Sequence, residues 1–154
     1  MLQRIQSVYL FIVTVLTALM TFLPIGGFMT GTDRIVLKMC GFFDTASNEM
    51  LSSAWGLVIT VIAAAVLPAV TIFLYKKRML QFRLCIVEMI LLCGVILFEA
   101  LYLWTGYAKL SELQLTAFFL QSAILPLISL IFTWLALRGV KKDIMLLKSM
   151  DRIR

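Results

Sequence analysis

Apolar residues fall into four long runs, Gln6–Leu23, Ser52–Tyr75, Leu84–Trp104 and 115–137, separated by segments that hold most of the charge. Each run approaches or exceeds the roughly 20 residues that a helix needs to cross a bilayer. The segment Lys76-Lys77-Arg78-Met79-Leu80-Gln81-Phe82-Arg83 divides them into two pairs. The pattern predicts an all-α polytopic membrane protein of one domain. Its four transmembrane helices form two hairpins, with an outer cap loop over 24–51 and a basic C-terminal helical tail over 138–154.

Small and polar side chains mark the inner faces of these spans. Ser7, Thr14, Thr17 and Thr21 follow one another at steps that stay on one side of a helix. Gly56, Thr60, Ala64, Pro68 and Thr71 do the same in the second run, and Ser122, Pro126, Ser129, Thr133 and Ala136 in the fourth. Stripes of this kind face other helices rather than lipid. Pro68 removes a backbone donor inside its helix, so a modest kink is expected there. The stretches Ala65–Thr71 and Ala123–Ser129 share a pattern, as a duplicated hairpin would.

The longest connection is the polar cap loop over 24–51. In the cap loop, Gly31-Thr32-Asp33 reads as a turn and Ile35–Cys40 as a short strand. Ser111-x-x-Gln114 has capping-box spacing, which predicts that the fourth helix starts near Glu112. The first run has no small-residue cleavage pattern after it, and reads as a retained span rather than a signal peptide.

Charge sets the expected orientation. One basic residue precedes the first span, four lie in the 76–83 segment and six in the tail, against Arg34, Lys38 and Lys109 on the other side. That excess puts both termini and the central loop in the cytoplasm of a bacterial inner membrane. Only 14% of residues are charged and 62% are hydrophobic, whereas soluble domains carry about 25% charged residues. The net charge of +6 sits beside apolar runs, which points to anionic lipid headgroups rather than nucleic acid.

Three polar stretches carry a resemblance. They are Met1–Gln6 opening the first span, Leu74–Cys85 after the second, and Leu135–Asp143 leading to Ser149–Arg154. In these the chain resembles a family of small bacterial four-span inner-membrane proteins described only as a domain of unknown function. The resemblance covers most of the chain and implies no activity, substrate or cofactor.

The chemistry available is narrow. The chain has no histidine, which excludes histidine-dependent triads and histidine-ligated metal sites. Cys40, Cys85 and Cys93 form no metal-binding or redox spacing. No catalytic, cofactor or metal site is expected. The basic residues Lys76, Lys77, Arg78, Arg83, Arg138, Lys141, Lys142, Lys148, Arg152 and Arg154 are candidates for lipid or partner contact. In the tail, Val140, Ile144, Leu147, Met150 and Ile153 share a broad side, with Lys141, Lys148 and Arg152 opposite most of it. The tail should continue the fourth helix or bend at Gly139, and such a segment can lie on a membrane surface, pack on a partner or pack on the 76–83 loop.

Glu88 and Glu99 are the only acids inside a predicted span. Eleven residues bring a helix back to within about 20° of its start, so they share a face about 16 Å apart along the axis. Glu88 is expected to snorkel to Arg83 or another basic residue of the central loop. Glu99 has no cation near it. It is expected to face the bundle, often protonated, hydrogen-bonded to Tyr102 or to hydroxyls of neighbouring spans. Two functions follow. One is a non-enzymatic accessory or scaffold subunit that packs against a larger membrane assembly. The other is a small transporter or proton- or cation-coupled protein that uses Glu88 and Glu99.

Overall fold

A computed structural model describes residues 2–30, 33–45, 47, 49–74, 78–110, 116–119 and 121–151. It is mostly helical, with α1 (Leu2–Met20), α2 (Trp55–Phe73), α3 (Arg78–Leu110) and α4 (Leu125–Asp151). Three stretches of helix, Trp55–Phe73, Arg78–Ala108 and Ser122–Leu146, are long and apolar enough to cross a membrane, and Ile5–Met20 is a shorter apolar helix. Each helix packs on two neighbours, in the cyclic order α1, α2, α3, α4.

A single spacing builds this bundle. The buried positions are 6, 10, 13, 17 and 20 in α1, and 57, 61, 64, 68 and 71 in α2. They continue as 81, 85, 88, 92, 95 and 99 in α3, and as 126, 129, 133, 136, 140 and 143 in α4. Every step is four or three residues. That alternation averages the 3.5-residue period of left-handed bundle packing. The seam is made of small or polar residues as often as of large apolar ones. Phe11, Ile59, Val66, Ile90, Leu97 and Ile131 point outward and stay exposed. Large apolar side chains outside and small polar ones inside is the arrangement expected of helices solvated by lipid.

The expectation of an all-α chain is corrected at one end. Five strands form an antiparallel sheet, β1 (Gly26–Thr30), β2 (Asp33–Lys38), β3 (Gly41–Asp44), β4 (Met50–Ser53) and β5 (Thr116–Phe119), in the order β4-β3-β2-β1-β5. The strand expected at Ile35–Cys40 is β2, shifted slightly towards the N-terminus. The expected turn at Gly31-Thr32-Asp33 lies largely outside the described residues. So does the Ser111-x-x-Gln114 cap. The helix expected from Glu112 starts only at Leu125, after β5 and a 3-10 turn over Gln121–Ile124. Pro126 is then the second residue of α4, where a missing N–H costs nothing. Pro68, its counterpart in the repeated pattern, lies deep inside α2.

The sheet is part of the core. Phe28, Leu37 and Phe42 join Met20, Leu57, Val61 and Leu92 in one buried cluster. Gly106 lets α3 reach this cluster: a Cβ there would stand 2.8 Å from the rings of both Phe28 and Phe42. This explains why α3 runs on to Leu110 rather than stopping near Trp104. Gly41 has φ 148°, and a Cβ there would meet the Ser52 carbonyl at 2.0 Å, so only glycine lets β3 and β4 approach. Ser122 Oγ donates to the Pro24 carbonyl and ties the turn before α4 to the segment that follows α1.

Candidate functional site

The seam carries the polar groups of interest. Among the described residues, Gln6, Thr17, Thr71, Gln81, Glu88, Glu99, Ser122, Ser129, Thr133 and Asp143 are polar and buried. The two acids that share a face by spacing are both turned into the bundle. Glu88 is 1% exposed and Glu99 is 5% exposed.

Neither acid has the partner expected of it. Both carboxyl oxygens of Glu88 and Oε1 of Glu99 are buried with no hydrogen-bond partner. Arg83 is exposed, so the snorkelling ion pair with Glu88 is corrected. The reason is the helix itself. Position 88 continues the seam of 81 and 85, and position 83 does not. For Glu99, the hydrogen bond expected from Tyr102 or a neighbouring hydroxyl is not made at Oε1. Tyr102 stays beside Phe98, with ring centroids 6.4 Å apart.

The buried hydroxyls of the seam spend their protons elsewhere. Thr17 Oγ1 donates to the Val13 carbonyl at 2.8 Å, Thr71 to Leu67 at 2.7 Å, Ser129 to Leu125 at 2.9 Å and Thr133 to Ser129 at 2.8 Å. Each hydroxyl thus turns its donor back to its own helix and leaves only lone pairs for its neighbours. Of the stripes predicted to bridge helices, those of α4 and the later part of α2 are buried, whereas Ser7, Thr14, Thr21 and Thr60 are half-buried beside the seam. The four bonds of the buried hydroxyls stay within one helix.

A third buried acid has a partner. At the sheet-distal end, Gln6 Nε2 donates to Asp143 Oδ2 at 2.9 Å, joining α1 to α4 across 137 residues of sequence. Gly139 permits this, since a Cβ there would stand 2.9 Å from Gln6 Cγ. The tail continues the fourth helix through Gly139, one of the two courses expected for it. α4 runs unbroken to Asp151, and Val140 and Asp143 are buried on the seam. Gln6 and Asp143 are not evident as a pair from spacing within either helix. The signal for them was the four-three step, which carries 133 and 136 on to 140 and 143, and 13 and 10 back to 6.

The basic candidates do not converge on one site. Arg78 opens α3 and is half-buried, whereas Arg83, Arg138, Lys141 and Lys142 are exposed. The Arg138 guanidinium lies 5.7 Å from the ring centre of Trp134. Lys148 is within α4, but its side chain falls outside the described residues, as do Lys76, Lys77, Arg152 and Arg154. Cys40, Cys85 and Cys93 are free thiols. No group of His, Cys, Asp or Glu among the described residues is able to hold a metal ion.

At the sheet end, β4 is an edge strand whose four residues are all exposed. A recess of about 470 Å³ lies beside it, lined by Ile35, Phe42, Leu51, Ser52 and Tyr102 among others. A smaller one of about 190 Å³ is lined by Cys40, Met50, Ser53, Trp55 and Val58.

Nothing among curated proteins or solved structures matches this chain. A family model does, over residues 2–153, and so spans the bundle, the sheet and the extended end of α4 together. The chain belongs to the family described as Domain of unknown function (DUF4293).

Proposed function

We propose that this is a non-enzymatic protein of a bacterial cytoplasmic membrane, acting as an accessory or scaffold subunit of a larger membrane assembly. All four helices cross the bilayer as two hairpins, with both termini and the α2–α3 connection in the cytoplasm. The excess of Lys and Arg at the sheet-distal end supports that orientation. At 19 residues, α1 spans about 28 Å, close to the roughly 30 Å of a hydrocarbon core. The basic loop and tail then face anionic headgroups.

One observation carries the partner reading, the open edge of the outer sheet. Met50 and Leu51 are 55% and 57% exposed on a strand that pairs with β3 along one edge and has its other edge free, beside Trp55 at 71%. Proteins usually blunt such an edge with charge or proline, and neither occurs in Met50–Ser53. A photo-crosslinking residue at position 51 should give a discrete adduct in cells. The adduct should be lost when Met50 is changed to Lys, while one at position 45 should give none. Equal adducts at both positions would end the reading.

A second reading has its own support. Glu88 and Glu99 are buried without partners, as the acids of a proton- or cation-coupled protein would be between loading events. Proton or cation flux in liposomes, abolished by Glu88→Gln or Glu99→Gln, would favour it over the subunit reading.

A further inference from the structure

We infer that the Glu88 layer of the bundle is a binding site for a single proton. This deepens the second reading above and rests on it in one respect: proton coupling needs such a site, whereas the site needs no transport.

The layer is fixed by its neighbours. Cys85 packs with Leu10 and Ala136, and Leu92 shares a core cluster with Ala64. Glu88 lies between those two levels on α3. On the same seam, Val13 follows Leu10, Thr133 precedes Ala136, and Pro68 lies between Ala64 and Thr71. All of these are buried, and Glu88 is 1% exposed.

The hydroxyls and the open carbonyl of the layer are acceptors, and the thiol of Cys85 and the phenol of Tyr9 donate no hydrogen bond to Glu88. Thr71 and Thr133 have given their protons to Leu67 and Ser129, and in the next level Thr17 and Ser129 have done the same. Pro68 has no N–H, so the Ala64 carbonyl lacks the donor that an α-helix would normally place four residues on. No donor reaches either oxygen of Glu88.

Nor does any cation. Between Ile5 and Met20, throughout α2, and between Leu125 and Leu137 there is no Lys, Arg, Asp or Glu. The titratable groups facing the layer are Cys85 on α3 itself and Tyr9 on α1, which is half-buried with its ring 6.0 Å from that of Phe132. Glu99 is about 16 Å farther along α3.

An ionised carboxylate that no donor reaches is among the costliest groups to bury. One proton changes the inventory. It turns one carboxyl oxygen into a donor, removes the charge, and finds acceptors already in place. A proton needs one acceptor beside the carboxyl, whereas a bare metal cation needs a shell of several oxygens converging on one point. Release of the proton then requires water or a cation to reach the layer, so binding is coupled to opening of the bundle. The Gln6–Asp143 pair closes the sheet-distal end below it.

Infrared spectroscopy on the full chain in lipid bilayers tests this directly. The carbonyl stretch of a protonated carboxyl should be present at neutral pH, and one such component should vanish in Glu88→Gln. A thermal melt close to that of the unaltered chain would show that the variant is folded. The component should be unchanged when sodium or potassium replaces choline. Identical spectra for Glu88→Gln and the unaltered chain would overturn the proposal. So would loss of the component on adding sodium, which would make the occupant a metal cation. A component that disappears in Glu88→Gln, together with no proton flux in liposomes, would uphold the site and end the transport reading alone.

Discussion

Asp143 and Glu88 are buried acids on one seam, about three helical turns apart, and the chain treats them in opposite ways. Asp143 receives a hydrogen bond from Gln6 on the neighbouring helix, and a glycine clears the space for it. Glu88 receives nothing. The difference is not in burial, since both are inside. It lies in what the opposite helices supply: an amide with free donors at one level, and hydroxyls with spent donors at the other. A satisfied pair holds two helices in register. An unsatisfied acid contributes little to holding them and is open to protonation.

The largest effect should come from breaking the satisfied pair. Gln6→Leu leaves Asp143 buried without its donor, which costs about 1–3 kcal/mol, and more where the group is charged. Unfolding in mild detergent should register this as a clear loss of stability. Gln6→Leu combined with Asp143→Leu should recover most of it, because no polar group is then stranded. If the double variant is as unstable as the single, the pair is not what joins α1 to α4.

Gly139→Ala should be the next largest. In an exposed helix this change stabilises by about 1 kcal/mol through propensity. Here the new methyl meets Gln6 Cγ at 2.9 Å and Nε2 at 3.2 Å, and the amide is held by Asp143. The gain should vanish or reverse, and it should return in a Gln6→Ala background. A plain gain in the unaltered background would show that Gln6 moves aside freely.

These pairs mark the limit of what the sequence makes legible. The inward face of α3 is readable, since Glu88 and Glu99 return to one side after eleven residues. So are the small-residue faces of α2 and α4. The fate of the hydroxyls is not, because inward position does not reveal whether a proton goes to a neighbour or back to the carbonyl four residues earlier. The sheet was half legible. β2 stands out as Ile-Val-Leu between charges, but β5 is Thr-Ala-Phe-Phe inside an apolar stretch, where periodicity does not separate a strand from a helix start. Gly106 lies beyond the expected end of the third span at Trp104, yet it is an interior residue of α3, where a Cβ would meet the rings of Phe28 and Phe42. Contacts made across the whole chain, such as Gln6 with Asp143, leave no local trace.

Smaller effects are expected where no hydrogen bond exists to lose. Glu88→Leu and Glu99→Leu should each change stability by less than about 1 kcal/mol, below the net worth of a typical hydrogen bond. This sharpens the contrast with Asp143: equal burial, unequal cost. A loss of several kcal/mol in Glu99→Leu would mean that Glu99 does bridge helices, and would restore it as a structural contact.

The smallest effect on folding should come from the two residues just before Asp143. Lys141 and Lys142 are both exposed, one helical step from a buried acid in the same turn. Neither is on the seam, so changing both to Gln should leave stability within about 0.5 kcal/mol, as for most surface substitutions. Their effect should appear elsewhere. Near an anionic surface each basic residue contributes about 1 kcal/mol, and that contribution is screened by salt. With the full chain in nanodiscs, the double variant should show weaker protection of the end of α4 from protease when the lipids are anionic. It should show no difference when they are zwitterionic. Equal protection in both lipids would mean that the basic end of α4 does not contact headgroups, and would leave a protein partner as the group that these charges meet.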